Sequence, residues 1–114
     1  MDIGYEAADP YWTDFAIEGY GKGGYGVSGV AAIKIVAADT IPAGAKVELS
    51  DPSVTKSIYY TFGQTVQSGD AVMWIDSRIE DIVNSEEYWD LSVMNADGDG
   101  WYAPPIAFTF MREV

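Results

Sequence analysis

The segment Asn95-Ala96-Asp97-Gly98-Asp99-Gly100 alternates oxygen-bearing side chains with small spacers and closes on a glycine. Alternation of this kind lets side chains converge on one cation, and the glycine supplies the sharp turn, as in the first half of a twelve-residue calcium loop. Asn95, Asp97 and Asp99 are therefore candidate calcium ligands. The second half of such a loop is missing, because its last position falls on Ile106, where a bidentate Glu is needed. Acids from another loop, such as Asp76, Glu86, Glu87 or Asp90, would have to complete the shell. The competing reading is a hairpin loop of turn-forming residues with no cofactor.

Gly19, Gly21 and Gly24 spell G-x-G-x-x-G within GYGKGGYG, and Asp39 follows at about the distance of a ribose-binding acid. A dinucleotide site needs an apolar strand before the glycines and a helix after them, since the helix N-terminus holds the pyrophosphate. Here the preceding DFAIE is charged at both ends, and the following VSGVAAIKIVAA is rich in β-branched residues that favour a strand. The glycines read instead as part of an extended arm. Tyr20 and Tyr25, with Tyr11 and Trp12, offer it amphipathic anchors on a neighbouring protein surface.

Aromatic residues make up 14% of the chain, with Tyr11-Trp12, Tyr59-Tyr60 and Trp101-Tyr102 as adjacent pairs. In a strand, neighbours point to opposite faces, so one member of each pair is free and the other points inward. Tyr59, Tyr60, Trp101 and Tyr102 are the candidates for stacking on sugar rings. Trp74 and Trp89 fall in apolar phase and read as core.

Several chemistries are excluded outright. There is no histidine and no cysteine, which removes Ser-His and Cys-His catalysis, disulfides, and the usual zinc, copper and haem ligands. Carboxylate pairs abound among 18 acids, so some pair always lies near the roughly 5–9 Å separation of a glycosidase and the coincidence has no weight. The chain reads as a non-enzyme. Its formal charge of −12 repels nucleic acid and anionic membranes. The densely acidic stretch from Asp76 to Asp99, with Arg78 as its one base, reads as a solvated face, with docking of a basic partner as the alternative. The N-terminus MDIGYEAADP carries acids where a secretory signal carries bases, so no signal peptide is expected. That suits a cytoplasmically made protein, or a mature secreted domain with an added Met.

The elements that must position these residues follow from periodicity. Residues 1–29 hold seven of the twelve glycines and four of the eight tyrosines, with alternation only at Asp14–Glu18. They read as an extended arm with one short strand. Beyond them, strands are expected at Val30–Ala38, Lys46–Ser50, Ser57–Val66, Ala71–Ile75, Tyr88–Met94 and Ile106–Arg112, with turns at Thr40–Gly44 and Gln67–Asp70. Ile79, Ile82 and Val83 at i, i+3 and i+4 predict one short helix over 77–87, capped by Ser77.

The sum is an all-β fold: an antiparallel β-sandwich of about seven strands over 30–114, with the immunoglobulin topology among those that fit, although the Cys pair and a clear tyrosine corner are missing. The expected function is a non-enzymatic structural or interaction protein, in its most concrete form a small virion component such as a phage capsid decoration or tail accessory protein. It would work in a homo-oligomer or lattice of protein partners within a virion or assembled particle. The alternative is an extracellular carbohydrate-binding module that recognises polysaccharide through exposed Trp and Tyr.

Overall fold

A computed structural model describes residues 4–7, 13–15, 20–23, 29–51, 56–83, 89–94, 96 and 106–114. Strands run in the order β1 (Tyr5–Ala7), β2 (Thr13–Phe15), β3 (Tyr20–Gly23), β4 (Val30–Ala37), β5 (Lys46–Ser50), β6 (Ser57–Thr61), β7 (Ala71–Ile75), β8 (Trp89–Met94) and β9 (Ile106–Glu113). One helix, α1 (Arg78–Val83), lies between β7 and β8. The protein is an antiparallel β-sandwich. One sheet has the order β1-β9-β4-β7, the other β2-β3-β8-β5-β6.

Leaving β2 aside, the strands pair as β1 with β9, β3 with β8, β4 with β7 and β5 with β6. First meets last, and so on inward to the β5–β6 hairpin. The chain is thus one long hairpin, rolled up so that its ribbons also join along β4–β9 and β5–β8. This is the connectivity of a jelly roll. In the immunoglobulin order the first strand pairs with the second, and here, among the described residues, β1 pairs only with β9.

Alternation explains which faces are buried. In β4, Ile33, Ile35 and Ala37 point inward, as do Trp89, Leu91 and Val93 in β8 and Ile106, Phe108 and Phe110 in β9. Trp89 of the second sheet meets Phe110 of the first edge-on at 4.8 Å and Phe108 at 6.4 Å, which joins the two sheets through the core. Trp74 is buried too, so both tryptophans expected in the core are there. The turns at Pro42–Ala45 and Gln67–Asp70 share one device: Ala45 N–H donates to Pro42 O and Asp70 N–H to Gln67 O, with Gly44 (φ 94°) and Gly69 (φ 89°) at the third position. A β-turn of this type demands positive φ there, and glycine supplies it without strain.

Three expectations change. The strand expected to reach Val66 stops at Thr61, because Phe62 is drawn into the core; Val66 returns to bridge Ile41. The helix buries Ile79, Ile82 and Val83 as expected, but its cap is Asp76 and not Ser77. Asp76 Oδ1 accepts the Arg78 N–H at 2.9 Å, and Ile79 N–H donates to Asp76 O at 3.2 Å. Among the described residues of the first 29 there are three strands where one was expected. β3 is YGKG, whose glycines erase the apolar–polar period, and β1 is only three residues long. The two escape a periodicity reading for that reason.

Candidate functional site

Among the described residues, sheet order leaves four edges. On one side of the sandwich the edges are β1 and β2; on the other they are β6 and β7. Among the described residues no strand covers the β6–β7 side. Between these strands lies a groove of 380 Å³ lined by Tyr60, Phe62, the 63–66 turn and 70–72. Its floor is aromatic: the Tyr60 ring meets Phe62 edge-on at 5.2 Å and lies 5.9 Å from Trp74.

The direction of the β7 main chain follows from its ends. Ala37 N–H donates to Asp70 O at 3.0 Å, and Asp76 N–H donates to Ala31 O at 3.3 Å. Hydrogen-bonding direction alternates along an antiparallel strand, so 70, 72, 74 and 76 face β4. Ala71, Met73 and Ile75 therefore turn their N–H and C=O groups to the open edge. Among the described residues no strand pairs with that edge. The side chains of these three lie on the outer face of the sheet, where Ala71 is exposed, Met73 is half-buried and Ile75 is 61% exposed. Val72 and Trp74 point the other way, to the core.

Asp76 anchors the far end of β7. Its carboxylate takes the Arg78 guanidinium through Nε at 3.0 Å and Nη2 at 2.7 Å. The Arg78 bond holds the Asp76 pKa below its ordinary value, although burial opposes this. The Arg78 side chain is itself 63% exposed.

The outer faces differ in chemistry. On the first sheet, register places Ala107, Val36 and Ala71 in one cross-strand row and Thr109, Lys34 and Met73 in the next, with Lys34 the one charge among the six. On the second sheet, Tyr59, Glu48 and Ser92 form one row, and Ser57, Ser50 and Asp90 another. Tyr59 is 50% exposed. Its hydroxyl donates to the Glu48 carboxylate, which raises the phenol pKa; a bond from Ser57 opposes that rise.

Of the residues singled out from sequence, Tyr59 and Tyr60 separate as strand alternation requires. Tyr59 faces out and Tyr60 packs inward on Phe62 and Trp74. The Tyr20 position pairs with Ser92, which places it on the Tyr59–Glu48–Ser92 row. Tyr11, Trp12, Tyr25, Asn95, Asp97, Asp99, Trp101 and Tyr102 lie outside the described residues. Among the described residues no three acids gather closely enough to hold a metal ion. Met73 and Ile75 escaped the sequence reading. AVMWI announces an apolar strand, but nothing in it says that one side goes unpaired.

No family model, curated protein or solved structure matches this chain.

Proposed function

We propose that this chain is a non-enzymatic assembly subunit that binds other protein chains, in the setting of a small virion component such as a capsid decoration or tail accessory protein. One observation carries the reading: β6 and β7, SIYYT and AVMWI, are edge strands with no charged residue and no proline, flanking an open groove. Edge strands of freestanding proteins are normally blunted by such residues, because an unpaired row of N–H and C=O groups recruits further strands. An edge left unblunted is a surface meant for occupation. The jelly roll serves in capsid and lectin domains, which accords with the reading as an analogy of fold and no more.

The test is the native mass of the protein isolated from its source without denaturation. Recovery in a particle many times the monomer mass supports the proposal; recovery only as a free monomer sinks it.

A second reading has its own observation. Tyr59 offers an exposed ring beside the Glu48 carboxylate and the Ser92 position, a small stacking and hydrogen-bonding platform of the kind that binds a sugar. Under this reading a glycan array gives a hit that Tyr59→Ala abolishes. An array without hits removes it and leaves the assembly reading standing.

A further inference from the structure

The geometry points to a second copy of this chain as the occupant of the β7 edge, joined by antiparallel β7–β7 pairing about a two-fold axis at Met73. This rests on the assembly reading above and names the partner.

Three features of β7 make it self-complementary. First, the residues whose main chain faces the open edge are Ala71, Met73 and Ile75, symmetric about Met73. An antiparallel copy therefore sets Met73 opposite Met73 and Ala71 opposite Ile75, giving about six main-chain hydrogen bonds with every outward group matched. Second, the side chains that meet are uncharged. Ala71 and Ile75, both exposed in the single chain, become cross-strand neighbours on the outer face.

Third, the charges at the ends match. In this register Asp70 of one copy stands opposite Asp76 of the other. That carboxylate is already neutralised by Arg78, so Asp70 meets an ion pair and not a bare acid. Arg78, 63% exposed, keeps N–H donors to offer it. The β6 edge lacks this match, since Lys56 flanks one end and Thr61-Phe62-Gly63 follows the other without an acid. Pairing through β7 yields a continuous eight-stranded sheet with an isologous interface, the commonest form of homodimer contact.

The opposing force is net charge. Two chains of −12 repel, so dimerisation must strengthen as salt screens them, the reverse of docking to a basic partner. The contact area is small, which makes the dimer concentration-dependent and not obligate.

The experiment is sedimentation velocity on the purified full chain across concentration and salt, with two variants. Met73→Pro removes an N–H that β4 does not use, so the sheet keeps its own bonds while the edge loses its central donor. Met73→Cys introduces the only thiol in the chain, about 5.5 Å from its symmetry mate by Cα, within disulfide reach. Thr109→Cys, exposed on the same row but two strands away, is the control. The expected result is a salt-strengthened dimer, weakened about tenfold or more by Met73→Pro. Mild oxidation then captures Met73→Cys, and not Thr109→Cys, as a covalent dimer. If Met73→Pro fails to fold, the cysteine pair decides alone.

A wild-type chain that stays monomeric at millimolar concentration and high salt overturns the inference. So does a dimer in which Met73→Cys links no faster than Thr109→Cys. Neither outcome touches the assembly reading if the protein from its source still travels in a large particle, because a different protein then fills the edge.

Discussion

On one side of the sandwich the sheets end in β1 and β2, three residues each, carrying Glu6 and Asp14. On the other they end in β6 and β7, five residues each, with no charge. Glu6 pairs with Arg112 at 3.0 Å, so β1 also ties its charge to the strand it covers. Short length and a charged side chain are the means by which proteins stop further strands from adding. The N-terminal segment thus supplies short, charged edges, while the middle of the chain supplies longer edges that lack both devices. The two sides of one sandwich differ in edge length and charge, and the difference is visible only once the sheet order is known.

The comparison can be broken most forcefully at Trp74, which backs the open side. Trp74→Ala removes a 3% exposed side chain that packs beside the Tyr60 ring. A loss of about 3–5 kcal/mol is expected in urea unfolding. Next comes Asp76→Ala, which strips the α1 cap and frees Arg78. It should cost about 1 kcal/mol at neutral pH. Because the native pKa of Asp76 lies below its unfolded value near 3.8, this contribution is complete above the unfolded pKa. It is lost as pH falls through the native one. The gap between wild type and Asp76→Asn should therefore close in acid, as followed by thermal melts from neutral pH downward.

On the closed side, Glu6→Gln should cost at most about 1 kcal/mol, because the Glu6–Arg112 pair is about half exposed and solvent screens it. Ile75→Lys should change stability by no more than about 0.5 kcal/mol, since the side chain is 61% exposed. It should nevertheless abolish self-association, giving the open edge the protection that β1 has. A dimer that survives Ile75→Lys would erase the distinction between the two sides. The smallest effect is spectroscopic: Glu48→Gln removes the carboxylate that holds the Tyr59 proton, and the phenol should then ionise at lower pH in an ultraviolet titration.

Much of the local structure was legible in the sequence. β5 and β7 fall where alternation put them, and β4, β8 and β9 lie within a residue or two. The inward phase of Trp74 and Trp89 and the buried stripe of α1 were also readable, because strand and helix periods are written in the order of side chains. The cap was missed by one residue. Ser77 and Asp76 are both competent, and the carboxylate of Asp76 also holds the Arg78 guanidinium. The candidate site was legible only as pieces. Tyr59 and Tyr60 were expected to point opposite ways, but Glu48 and Ser92 as Tyr59's cross-strand neighbours depended on register between β5, β6 and β8.

The sequence by itself determined an acidic, all-β chain without thiol or imidazole chemistry, its main strands, and which side chains each strand turns inward. These follow from composition and from contacts between near neighbours. Tertiary structure decided the rolled-hairpin order, and with it that AVMWI ends a sheet while VAAIKIVA, apolar but for Lys34, lies inside one. That distinction rests on which strand accepts a main-chain hydrogen bond. Every residue but proline carries the same N–H and C=O, so the order of side chains does not encode it; only the closing of long-range strand pairs does.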